Sequence, residues 1–375
     1  MALEFPSLQA DTGFRRRLLV TLVALFIFRV GYMIPLPMIQ AQDFAAYPDG
    51  VSAHAVSLFS VGLRPFFAVL ILVEFAKLAF PALSRWEVAT PRNATRLYYL
   101  IFFAVLLLAA FQSFALVQVL EKMRMPVPCP FCVTHQLTPT GPEYIFASML
   151  SLVAGTALTG WLIRLITLHG LGNGFWVIYA AIGLENLPLS VFRCLEQWRH
   201  GLLDIATLGV GAGFVLVAIA VLATVDIPWH EGSAKPDHRR RANVFQANET
   251  LAATIWPPVL AAIAGVALIS FLTPLLTGRV SVNGQTAAAL AVDALLILPF
   301  AALYRARGAA WLESGLQGER NPVWTTAFAQ TAVGLGAAAI LYALRLPFFI
   351  NPTSIIIFVA VAVSILKPAA AGRTV

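Results

Sequence analysis

The chain has 375 residues, 59% of them hydrophobic and only 11% charged, with a formal net charge of +7. A soluble chain carries about a quarter charged residues, so too few charges remain here to coat a water-facing surface, and soluble enzymes and nucleic-acid-binding proteins of this length are excluded. The positive balance points instead to basic loops beside anionic lipid.

A helix needs about 20 mostly apolar residues to cross a bilayer. Ten such stretches follow one another, at about 18–36, 56–80, 97–120, 144–168, 174–190, 202–226, 251–273, 286–304, 325–344 and 347–366. The first follows Arg15, Arg16 and Arg17 and lacks a small-x-small cleavage pattern, so it reads as a retained span rather than a leader. The second contains Gly62 and Pro65, which should divide it into a short outer piece and a longer inner helix. The fifth is short. The fold expected is an all-α polytopic membrane protein.

Lys and Arg set the orientation. With the N-terminus inside, the inner segments hold Arg15, Arg16, Arg17, Arg85, Arg92, Arg96, Lys235, Arg239, Arg240, Arg241, Arg305, Arg307, Arg320, Lys367 and Arg373. The outer loops hold Lys122, Arg124, Arg193, Arg199, Arg279 and Arg345. The positive-inside bias therefore puts both termini in the cytoplasm. The span count divides into five and five, which suggests halves at 1–195 and 196–375, as in folds built from two five-span repeats.

Several segments carry more specific signals. The first span ends Phe28-Arg29-Val30-Gly31-Tyr32-Met33-Ile34-Pro35-Leu36-Pro37, and the second opens Leu58-Phe59-Ser60-Val61-Gly62-Leu63-Arg64-Pro65-Phe66. The third contains Phe111-Gln112-Ser113, and His169-Gly170-Leu171-Gly172-Asn173-Gly174 joins the fourth to the fifth. Trp256-Pro257-Pro258 lies in the seventh, and Leu346-Pro347-Phe348-Phe349 with Thr353-Ser354 opens the tenth. Each is weak alone. Together, in this order, they resemble SecY, the channel subunit of the protein translocase, over most of residues 14–190, 250–265 and 345–367.

That resemblance implies two pseudo-symmetric five-helix halves around a central pore. It implies a waist ring at Leu63, Phe67, Phe175, Tyr179, Val259 and Ile357, bulkier than the family's aliphatic ring. A narrow apolar waist excludes water and ions yet parts for a sliding chain. It also implies a lateral gate with Gln112 at a family position, Glu74 in place of a family Gln and Leu251 in place of a family Asn. Glu74 is equally suited to pair with Lys77 three residues on. The plug that precedes the pore helix would be confined to about 42–61.

The resemblance implies docking of a SecA motor or a ribosome at the inner loops, through Arg239, Arg240, Arg241, Arg305 and Arg307. Topology determination is the other reading of those arginines. It implies SecE-like and SecG-like small subunits, an unfolded polypeptide substrate and a bacterial inner membrane. No cofactor and no resident metal are expected.

Two features lie outside the family pattern. Cys129-Pro-Phe-Cys132, with His135 nearby, sits in a proline-rich outer loop. A structural disulfide, a redox pair and a metal site are all open there. Asp293 is the one acid deep in the eighth span, either a structural acid or a proton site. The competing functions are accordingly a membrane thiol oxidoreductase on Cys129 and Cys132, and a proton-coupled secondary transporter on Asp293. The sequence holds no nucleotide-binding or hydrolase motif, so no enzyme is expected from the remainder.

Overall fold

A computed structural model describes residues 12–37, 57–80, 82–83, 86–87, 90–122, 124–125, 135–136, 141–201, 204–232, 249–277, 287–312, 322–344 and 351–371. Among these, ten long helices follow one another: α1 Thr12–Gly31, α2 Arg64–Ala79, α3 Pro91–Lys122, α4 Pro142–His169, α5 Gly174–Arg199, α6 Ile205–Gly232, α7 Glu249–Thr277, α8 Ala287–Leu312, α9 Pro322–Leu344 and α10 Pro352–Ala371. The only sheet among the described residues is a two-residue antiparallel pair, β1 Arg124–Met125 with β2 His135–Gln136. With Gly141 N donating to Glu121 Oε1 at 3.2 Å, it draws together the ends of the loop between α3 and α4. Cys129 and Cys132 lie outside the described residues.

The ten expected spans each find a helix, with one instructive difference. The second span divides at Gly62 and Pro65 as expected: its short outer piece is a turn in which Gly62 takes φ +35°, and Pro65 then lies in the first turn of α2. The first helix begins earlier than its apolar run and stops at Gly31, where the chain turns through Tyr32–Ile34. Among the described residues, six helices are long and apolar enough to cross a membrane: Arg92–Lys122, Pro142–His169, Ile205–Val225, Leu251–Ser270, Ala287–Ala306 and Val323–Ala343. Gly174–Leu184 and Pro352–Ile365 are shorter apolar helices.

The helices are apolar on both faces, and α3 shows why. Leu97, Ile101, Val105, Ala109 and Ser113 recur every four residues and are buried. Phe103, Leu107 and Phe111 recur at the same interval on another face and are exposed, Phe111 by 71%. In water such a stripe would be a liability. Facing lipid it is the expected surface, and the helix keeps its backbone groups bonded within itself. The chain is therefore a multi-pass, all-α membrane protein.

Contacts divide the chain into two compact units, one holding Ala10–Phe175 and the other Trp176–His238 with Gln246–Val375. In the first, α4 packs on α3 and α1, and α2 packs on α3. Its core joins Leu36, Val61, Ala109, Val117, Tyr144 and Leu152. In the second, α8 packs between α7 and α9, while α6 packs on α9 and α10. Ala261, Ile297, Ala301 and Ala327 form one core there, and Ala218, Leu222, Val333, Ile356 and Val359 another.

Candidate functional site

In the first unit, two non-helical joints carry the candidate pore residues. The joint at 57–63 is held on both sides. Leu58 N donates to Ile34 O at 2.9 Å, and Ser57 pairs with Pro35 as an isolated bridge. Phe59 stacks on Phe28 with ring centroids 5.3 Å apart and lies so close to Gly31 that a Cβ there would run into its ring. On the opposite side, a Cβ on Gly155 would meet the Leu58 carbonyl. These glycines let backbone and ring approach where any side chain would hold them apart. The result is a buried Leu63 and a half-buried Phe67 at the start of α2.

The second joint is the Gly170–Gly174 turn. Leu171 N donates to Thr21 Oγ1 at 2.9 Å, and that hydroxyl donates onward to Arg17 O at 3.0 Å. Gly174 N donates to Thr167 Oγ1 at 2.9 Å. Asn173 caps α5, its Oδ1 accepting from Phe175 N at 3.1 Å. Gly172 adopts φ +73°, and a Cβ on Gly174 would strike the Ile163 carbonyl. Phe175 is wholly buried and stacks on Phe67 with centroids 6.4 Å apart and planes 19° from parallel. Two candidates from different elements thus meet.

In the second unit, Tyr179, Val259 and Ile357 sit on three helices that pack on one another. Trp176 of α5 meets Trp256 of α7 edge to face at 5.4 Å, and it meets Tyr179 at 5.8 Å. Gly183 of α5 lies against the Phe358 ring of α10. Helix α10 also packs on α7. Val259 and Ile357 are buried and Tyr179 half-buried.

The candidate gate residues part company. Gln112 is half-buried on α3. Glu74 is buried, with Oε1 3.7 Å from Lys77 Nζ, and the same ammonium lies 2.7 Å from Glu87 Oε2. Lys77 is only 1% exposed. The expected i,i+3 pair exists, but the shorter contact is to Glu87, which sequence reasoning missed. No periodicity links residues on either side of the α2 end.

Of the candidate docking residues, Arg305 is exposed with its guanidinium 5.7 Å from the Trp324 ring centroid. Arg307 continues α8. Arg239, Arg240 and Arg241 lie outside the described residues. Asp293 lies half-buried against Gly265, where a Cβ would collide with the carboxylate, and its buried Oδ1 has no hydrogen-bond partner among the described residues. Among the described residues, no three potential ligands gather to hold a metal ion.

A family model described as SecY matches residues 57–308. The protein translocase subunit SecY of Buchnera aphidicola subsp. Acyrthosiphon kondoi is 30% identical over 237 residues, covering 59% of this chain and 63% of that protein. The SecY subunit of Escherichia coli strain K12 is 29% identical over 237 residues, covering 59% of this chain and 50% of that protein. The matches thus take in between half and two thirds of these relatives' length. Among solved structures, one of SecY addressing its plug domain aligns with TM-score 0.56 at 12% identity, covering 100% of this chain and 95% of that one. Sec61 in a canine ribosome–channel complex aligns with TM-score 0.55 at 13% identity and the same coverage. At such identities the structural likeness speaks to fold.

Proposed function

Because the chain belongs to the SecY family, we propose that it is a protein-conducting channel that moves unfolded polypeptides across or into the membrane. The observation that carries this reading is the family match over residues 57–308, which begins at the joint before α2 and runs through α7 into α8. The two other readings, a thiol oxidoreductase on Cys129 and Cys132 and a proton-coupled transporter on Asp293, draw no support from the matches.

In this reading the halves 1–195 and 196–375 close around a pore whose waist is formed by Leu63, Phe67, Phe175, Tyr179, Val259 and Ile357. A dry aromatic and aliphatic constriction blocks ions by dewetting and makes no directional bonds to a passing chain, so it slides. The stacked Phe67 and Phe175 make one side of that seal stiff. The lateral exit runs beside Glu74 and Gln112. The channel is passive and has no catalytic step. A SecA-like motor or a ribosome supplies the push, docking at Arg239, Arg240, Arg241, Arg305 and Arg307, and SecE-like and SecG-like subunits hold the halves together. The protein sits in a bacterial inner membrane with both termini cytoplasmic.

The test is a crosslink. A Phe67→Cys variant carrying a short photoreactive probe is expected to label an arrested secretory chain, and a lipid-facing Phe111→Cys control is not. Equal labelling from both positions, or none from either, would overturn the channel reading.

A further inference from the structure

Helix α7 carries two consecutive prolines, Pro257 and Pro258, inside its span. A proline has no N–H, so the carbonyl four residues earlier loses its helical partner. For Pro258 that carbonyl is Thr254 O. Thr254 is fully buried, and an unbonded carbonyl so placed is costly. The vacancy is filled from another helix. Gln330 of α9 donates through Nε2 to Thr254 O at 2.8 Å. Gln330 is itself 1% exposed. Ala261 of α7 and Ala327 of α9 belong to one core nearby, small side chains that let the two helices approach.

We propose that Gln330 is a positioning residue that holds the proline-broken turn of α7 in one conformation by standing in for the N–H that Pro258 lacks. A proline turn with a free carbonyl can bend over a range of angles. One bonded from α9 is pinned. Val259, next in sequence, is pinned with it, so this bond sets where that side chain sits. Its bearing on a pore waist rests on the channel reading above, whereas the clamp itself does not. An amide suits the task because it is neutral, long enough to reach between helices and able to donate. Leu and Met match its bulk without donating.

Spin labels at Leu268 of α7 and Phe328 of α9, both exposed, report the clamp in a background with Cys129, Cys132 and Cys194 replaced by Ser. Gln330→Leu is expected to broaden their distance distribution. In Pro258→Ala with Gln330→Leu, the new N–H at 258 bonds Thr254 O, and the narrow distribution should return. Packing alone would not respond to that restored donor. An unchanged distribution in Gln330→Leu, or a broadened one that Pro258→Ala fails to narrow, overturns the proposal. Gln330→Met serves if the leucine variant fails to assemble.

Ion leak from proteoliposomes separates the two readings. With the labels broadened, a raised leak that Pro258→Ala reverses supports both. An unchanged leak with broadened labels leaves the clamp standing and counts against the channel.

Discussion

The joint before α2 and the proline turn of α7 solve one problem in opposite ways. Each interrupts helical hydrogen bonding inside a membrane protein, and each must satisfy the backbone groups it frees. The Ala10–Phe175 unit does so by close approach. Its glycines at 31, 155 and 174 admit a ring or a carbonyl, and short turns bond to Thr21, Thr167 and Asn173. The α7 turn keeps a continuous helix and borrows one donor from Gln330. The first solution is spread over several close approaches and several turn bonds. The second hangs on one side chain. It follows that the first region should tolerate change poorly at small residues, and the second should be adjustable through a single amide.

The largest expected effect comes from the buried charges at the end of α2. Lys77→Met leaves the Glu74 and Glu87 carboxylates buried together and should cost about 3–5 kcal/mol, read as a fall in thermal unfolding temperature of the purified protein. Combining it with Glu74→Gln and Glu87→Gln should recover most of that loss. If the single and triple variants melt alike, the cluster is not held by charge. Next is Gly155→Ala, whose new methyl meets the Leu58 carbonyl. An overpacking cost of about 1–3 kcal/mol is expected. A wild-type melting temperature would show that the joint gives way freely, and the contrast drawn above would fail. The smallest is Asn173→Ala, which removes the α5 cap for about 1 kcal/mol. Asn173→Ser or Asn173→Asp should retain most of the stability, since either side chain can accept from Phe175 N.

Much of this was legible in the sequence because the bilayer imposes simple rules. Ten apolar runs became ten helices among the described residues, and the Gly-Leu-Gly-Asn-Gly run became a capped turn for reasons Asn173 and Gly172 make plain. Phe67 and Phe175, singled out by family resemblance, meet as a stack. Less was legible where side chains pair across helices. Glu74 and Lys77 could be paired by helical spacing, but Glu87 lies beyond the helix end. Proline at 258 announces an orphan carbonyl at 254, yet nothing local says that residue 330 will serve it. The stop of α1 at Gly31 lies just ahead of Pro35, but the packing of the Phe59 ring against that glycine was equally hidden.

By itself the sequence determined that this chain lives in a membrane, how many times its apolar segments recur, and to which family its motifs belong. These follow from residue type and spacing, because the cost of exposing apolar surface or unbonded backbone is paid locally, segment by segment. Only the tertiary structure decided which partner completes each break. Thr21 reaches Leu171 across 150 residues and Gln330 reaches Thr254 across 76. Helical period tells which way a side chain points but not which neighbour stands there, and that choice is made by the packing of all the helices at once.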